Sequence, residues 1–411
     1  MANSKLNPRI QGTFAALRHR NYQLWFYGQM VSLMGTWMQS TAQGYLIYQL
    51  TNSPVYLGLV GFAAGIPTWL FTLFGGVVAD RISRRNLMVI TQSAMLVLAF
   101  ILAALAFTNA VQPWHILVLA FLLGVANAFD APARASFVLE LVPREDMTNA
   151  IALNSTMFNI ATVVGPSIAG LTYAAFGPAW CFTLNGLSFI AVIVALLLMH
   201  IKMDSQQARR PNAITEIVEG LQYVFTNRLV LSLTATVGLV AMFGFGLMNL
   251  LPAWATDVLH GNEVTNGLLV SARGLGALIS ALMLASLTKH KVRGRLWMAG
   301  YIVVPVSLFL FAWIRWLPLS LTFLVVVGSA MMMLTNNSNA LIQSGVPDNL
   351  RGRVMGVYTL VFNGFIPIGA LLAGGVAQKL GSPVTVMLSA GVLLIFVIAT
   401  WIFLPEIRRQ E

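Results

Sequence analysis

The chain is 411 residues long, 58% hydrophobic and 9% charged, with a formal net charge of +11. A soluble domain carries roughly 25% charged residues, so a water-exposed surface of ordinary polarity is excluded. The positive charge does not point to nucleic acid, because it sits in short clusters between apolar runs rather than on one element.

The N-terminal stretch is too polar for a cleaved signal peptide, and the apolar run from Tyr22 is long enough to stay in a membrane. A crossing helix needs about 20 apolar residues. That ruler predicts twelve spans, over 22–48, 54–79, 86–107, 113–138, 147–176, 178–200, 229–256, 264–288, 296–314, 318–344, 353–379 and 382–404. Breakers such as Asn52-Ser53-Pro54, Gly177-Pro178 and Gly381-Ser382-Pro383 divide them. With these spans, all basic residues but Arg273, Arg315 and Lys379 fall on one side, among them the clusters Arg81, Arg84, Arg85 and Lys289, Lys291, Arg293, Arg295. Excess Lys and Arg marks the cytoplasmic side, so both termini are expected in the cytoplasm. The segment 201–228 is the one long polar connection; Ile214, Ile217, Val218, Leu221 and Val224 predict a short amphipathic helix on the inner membrane surface. The single cysteine, Cys181, excludes an internal disulfide.

The second half repeats the first. A shift of 204 residues places Phe158-Asn159 on Phe362-Asn363, and Gly165, Gly170 and Gly177 on Gly369, Gly374 and Gly381. A shift of 209 places Gly58-Leu59 on Gly267-Leu268 and Gly65 on Gly274. The expected domains are therefore a six-helix bundle over 1–200, a linker over 201–228 and a second bundle over 229–411. Parallel repeats of this kind imply a central path with a midplane site and alternating access.

After the second span the chain reads Gly75-Gly76-Val77-Val78-Ala79-Asp80-Arg81-Ile82-Ser83-Arg84-Arg85. This resembles the signature loop of the major facilitator superfamily, with Ser83 where the family usually has glycine. Asn21-Tyr22, Gly35-Thr36-Trp37-Met38-Gln39 and Phe129-Asp130-Ala131-Pro132-Ala133-Arg134 resemble a bacterial branch that includes the enterobactin exporter and macrolide efflux proteins. The resemblance covers the whole chain. It implies an all-α membrane fold of twelve helices, a bacterial plasma membrane location and no enzymatic activity. It also implies a conformational switch at Gly76, Asp80, Arg81, Arg84 and Arg85. There Gly76 allows a close helix approach, and Asp80 reaches the start of the eleventh span near Gly352, where a helix N-terminus favours a carboxylate. The second half has no copy of that aspartate. Gly165-Pro166-x-x-x-Gly170 resembles the exporter motif of the fifth span, with Ala161 in place of an upstream glycine; it reads either as a hinge or as simple helix packing.

Polar stripes in apolar helices face a cavity or a neighbouring helix. Ser32, Thr36, Gln39 and Gln43 form one such stripe, and Ser155, Asn159, Thr162 and Pro166 another. Gln39, Gln43, Asn159, Asn249, Asn363 and Arg273 are the candidate path residues. Arg273 lies ~12 Å into the eighth span, near the midplane. There it would bind an anionic or carbonyl-rich group, or else pair with helix carbonyls or face a wet cavity. Asp130 and Arg134, four residues apart near the inner end of the fourth span, form a candidate gate or proton site; a structural ion pair is the plainer alternative. Phosphate-binding loops, metal-ligand clusters and nucleophile–base pairs are missing, so no metal, cofactor or nucleic acid is expected. The expected partners are a small-molecule substrate, the lipid bilayer and protons, with the chain a monomer. Export of an amphipathic drug or siderophore-like compound leads; uptake, lysophospholipid flipping and a non-transporting scaffold are the alternatives.

Overall fold

The structure is a computed structural model that describes residues 14–200, 213–286 and 293–403. Among these there are helices and no strand. Twelve membrane-length helices run in order: α1 (Arg20–Thr51), α2 (Pro54–Arg81), α3 (Arg84–Phe107), α4 (Pro113–Phe137), α5 (Met147–Phe176), α6 (Pro178–Leu198), α7 (Arg228–Val258), α8 (Glu263–Ser286), α9 (Arg293–Phe311), α10 (Leu317–Gly345), α11 (Asp348–Leu380) and α12 (Ser382–Phe403). Eleven helices of the described residues are long and apolar enough to cross a membrane; α1 is not among them. It is long enough at 32 residues, but it carries Gln29, Ser32, Gln39, Thr41 and Gln43, all buried.

The boundaries follow local chemistry. Proline occupies the first turn of α2, α4, α6 and α10, where its missing N–H costs nothing. Gly177 and Gly381 stand at φ +86° and +79° in the α5–α6 and α11–α12 turns, a conformation that glycine adopts without strain. These two turns are repeat partners. The largest boundary error concerns α11, which begins at Asp348 instead of the predicted 353, because Val346 and Pro347 are extended and launch the helix at once.

α7 departs from the regular helix that its hydropathy predicts. It loosens into a π-type turn at Ala241–Phe245, tightens over Gly246–Leu250, and loosens again at Trp254–Val258. Pro252 removes one donor within this stretch. Gly246 meets α11 so closely that a Cβ there would lie 2.6 Å from the Gly369 carbonyl carbon.

Two six-helix bundles result. In the first, α2 packs on α4, α1 on α5 and α6, and α3 on α4 and α6; in the second, α10 packs on α8 and α9, and α9 on α12. The bundles meet along two seams, α2 with α11 and α5 with α8. The basic-face ends are those at the α2–α3, α4–α5, α8–α9 and α10–α11 connections; the opposite end is the far face. The linker helix (Ala213–Thr226) sits against the start of α11. A Cβ on its Gly220 would stand 2.6 Å from the Arg353 carbonyl oxygen, and Glu219 pairs with the Arg353 guanidinium. Val224 is buried, whereas Val218, Leu221 and Phe225 lie exposed on the other face.

Candidate functional site

The two seams are copies of each other. In one, a Cβ on Gly267 would lie 2.5 Å from the Pro166 carbonyl oxygen, and a Cβ on Gly170 would lie 2.9 Å from that of Glu263. In the other, a Cβ on Gly58 would lie 2.6 Å from the Ala370 oxygen, and a Cβ on Gly374 would lie 2.6 Å from that of Pro54. Each of the four contacts maps onto its partner by the 204- and 209-residue shifts of the sequence repeat. Small residues let helix backbones touch where lipid supplies no hydrophobic drive. The hydroxyl of Ser167 donates to Ser271 at 2.8 Å, and that of Ser271 to the Val163 carbonyl at 2.7 Å, which ties α5 to α8 further.

These contacts lie toward the far face. More polar closures sit at its rim. Tyr48 of α1 donates to the Asp257 carboxylate at the end of α7. Tyr45, one turn earlier, faces Glu263 at the start of α8. Ser53 donates to Gln378 at 2.7 Å. The sequence reading missed this tyrosine–carboxylate closure. Its signal was a tyrosine pair three residues apart at the end of α1, with acids on both flanks of the α7–α8 turn.

Between the bundles, in the basic-face half, lies a cavity of about 240 Å³. Its polar wall is Gln29 of α1, Arg134 of α4, and Asn154, Ser155 and Asn159 of α5. Leu33, Phe158 and Met332 supply apolar surface, Met332 from the second bundle. Asn159 donates to the Ser155 carbonyl at 2.8 Å and so holds a fixed rotamer. Gln29 is 1% exposed, and its Oε1 has no hydrogen-bond partner.

Asp130 stands behind this wall, fully buried. Its Oδ1 accepts from the Thr91 hydroxyl at 2.8 Å and from the Gln92 amide at 3.1 Å, both on α3. Its Oδ2 accepts no hydrogen bond and lies 3.8 Å from Arg134 Nε. The expected i,i+4 pair therefore exists as a charge contact, with the aspartate anchored to α3 and the arginine on the cavity.

Other predicted residues fall elsewhere. Gln39 accepts from the Asn185 amide of α6 at 2.6 Å, a polar contact inside the first bundle. Asn249 belongs to the α2–α11 side: its amide donates to the Gly246 carbonyl at 3.0 Å, and its Oδ1 lies 2.8 Å from where a Cβ on Gly61 would be. Gln43 is buried on α1, one residue before Gly44, which approaches Pro252 of α7. Asn363 is half-buried on α11, next to Gly364, which is pressed on the Trp69 indole. In the fifth-span motif, Gly165 packs on Trp37 and Met34 of α1, while Pro166 and Gly170 form the α8 seam.

Arg273 lies on α8 opposite the exposed face of Leu268, Leu275, Ile279 and Leu282, given 3.6 residues per turn. Its backbone touches α10: a Cβ on Gly328 would stand 2.0 Å from the Arg273 carbonyl oxygen. The Nε is buried without a hydrogen-bond partner, and among the described residues no carboxylate pairs with the guanidinium.

The α2–α3 loop departs from expectation at one position. A Cβ on Gly76 would meet nothing within 4 Å, whereas a Cβ on Gly75 would stand 2.3 Å from the Ala128 carbonyl oxygen of α4. The close approach belongs to Gly75, because the α2 face turned to α4 is set by Gly75 and not by its neighbour 100° round the helix. Arg84 pairs with Glu140, and Arg85 donates to the Leu197 carbonyl at 2.9 Å, so both tie the loop to its own bundle. The side chains of Asp80 and Arg81 lie outside the described residues.

Comparisons with known proteins agree with this geometry. A family model described as transmembrane secretion effector matches residues 11–411. The chain is 30% identical to the multidrug efflux pump Tap of Mycolicibacterium fortuitum, covering 100% of this chain and 99% of that protein. It is 26% identical to the enterobactin exporter EntS of Escherichia coli O1:K1 / APEC, over 95% of this chain and 93% of that protein. The crystal structure of the nucleoside transporter NupG superposes with a TM-score of 0.75 at 16% identity, covering 93% of this chain and 98% of that one. A chain with two seamed six-helix bundles and a match to the family model from residue 11 to its end belongs to the transmembrane secretion effector family of the major facilitator superfamily, and is a multi-pass membrane transporter rather than an enzyme.

Proposed function

We propose that the chain exports a small amphipathic compound, drug-like or siderophore-like, from the cytoplasm of a bacterium by alternating access, with protons as the driving ion. The observation that carries this reading is the cavity between the bundles in the basic-face half, set against the closed seams toward the far face. The basic face is taken as cytoplasmic from the distribution of Lys and Arg, so cargo loads from inside. Export as the direction draws on the efflux pump and the exporter among the relatives. The bundles 1–200 and 229–411 rock as two bodies joined by the linker 201–228, within a monomer in the inner membrane. Asp130 is the proton carrier, as a buried carboxylate with one oxygen free of hydrogen bonds.

Everted membrane vesicles test the direction. They expose the cytoplasmic face, so export appears as proton-gradient-dependent accumulation of a fluorescent drug. Accumulation only in right-side-out vesicles would reverse the direction, and none in either would remove the transport of that compound.

A further inference from the structure

We propose that the cargo carries an acidic, oxygen-rich group, a carboxylate or a similar oxyanion on an apolar body, and that Arg134 selects for it. This rests on the reading of the chain as a carrier with the basic-face cavity as its loading site.

Among the described residues between the far-face closure and the basic-face ends, the charged side chains are Asp130, Arg134, Arg273 and Arg353, the last already paired with Glu219 of the linker helix. Asp130 partly offsets Arg134 across 3.8 Å, and Arg273 does not line the cavity. An interior cation without a carboxylate partner is costly unless a ligand or water compensates it. Geometry then decides which charge the cargo meets. Arg134 lines the cavity, whereas Asp130 is fully buried and does not. The aspartate is also held by two α3 donors, so it cannot swing forward without losing them. At 3.8 Å, its contact with Arg134 Nε is longer than a charge-assisted hydrogen bond of about 2.7–2.9 Å. Guanidinium donors therefore remain available to a ligand.

Gln29 is the independent observation. It borders the same cavity, is 1% exposed, and its Oε1 has no partner. A buried acceptor left unpaired costs free energy, and a protonated hydroxyl on the cargo would satisfy it. Phe158 and Leu33 complete a wall that suits an apolar body. A cationic compound would meet the guanidinium and, among the described residues that line the cavity, no carboxylate.

The test uses three probes with one body: dansyl-aminohexanoate, its primary amide, and the amine dansyl-cadaverine. The full chain is held in phosphatidylcholine nanodiscs, which have no net surface charge, and binding is read by dansyl fluorescence. The carboxylate is expected to bind roughly tenfold or more tighter than the amine, the range of a charged hydrogen bond. Arg134→Gln should remove that preference and leave amide binding within about twofold, since only the charge is lost. Arg134→Lys should restore part of it. Asp130→Asn should act oppositely and tighten carboxylate binding, because it frees Arg134 from its counter-charge. Amine binding as tight as carboxylate binding overturns the proposal, as does a carboxylate affinity unmoved by Arg134→Gln, or failure of the carboxylate to bind. If Arg134→Gln does not fold, Arg134→Lys and Asp130→Asn decide. Everted vesicles separate this from the export reading. Dansyl-cadaverine pumped equally by wild type and Arg134→Gln retains export and removes the anion preference; selective carboxylate binding without pumping removes export alone.

Discussion

A polar residue in a lipid-embedded helix faces either a neighbouring helix or a cavity. Gln39 and Asn159 look alike on their helical stripes, yet one meets Asn185 inside the first bundle and the other borders the cavity. The difference lies in which helix is next door, and that is a tertiary fact. Gln39→Leu should therefore orphan the buried Asn185 amide and cost about 1–3 kcal/mol of stability, with no change in the KM for cargo. A thermal melt combined with a transport assay checks this, and a large rise in KM would return Gln39 to the path. At Asp130 the expectation is different. Asp130→Asn keeps the size and the Thr91 contact but cannot exchange a proton, so drug accumulation should lose its response to an imposed pH gradient. A response of wild-type size in that variant would end Asp130's role as carrier.

At the scale of elements, the helices were legible because length, apolarity and breakers act locally. Most predicted ends lie within about three residues of the observed ones. The irregular course of α7 was not legible, because it arises where Gly246 is pressed on α11, a contact from over a hundred residues away in the chain. The glycine coincidences did expose the repeat, and the structure gives them a use: Gly58 with Gly374, and Gly267 with Gly170, are one contact made twice. Alanine at Gly267 or Gly58 raises intrinsic helix propensity by about 1 kcal/mol, yet its Cβ would stand about 2.5 Å from a carbonyl oxygen of the opposite helix. Each substitution should loosen far-face closure to a similar degree. Cross-linking across the rim, through cysteines at Ser53 and Gln378, reads this as a fall in yield. An unchanged yield in both variants would mean the seams do not control closure.

For the whole molecule, the prediction concerns motion. Ser53 and Gln378 join the two bundles at the far-face rim, and Cys181 is buried and the single native thiol. In a Cys181→Ala background, a short methanethiosulfonate linker between Ser53→Cys and Gln378→Cys should abolish transport, and reduction of the linker should restore it. Transport that persists in fully linked protein would rule out far-face opening as a step of the cycle.

The paired seams carry a consequence for how such a molecule switches. Side chains that interlock must be withdrawn from one another before two helices separate, whereas backbones in direct contact part once the few hydrogen bonds across them, those of Ser167, Ser271 and Trp69, are broken. Glycine and proline backbone makes up much of the surface that meets in the seams. Because the two seams are related by the repeat, one tilt of a bundle relaxes both. The resting and open forms can then differ by only a few kcal/mol, a gap that one bound cargo or one proton is able to invert.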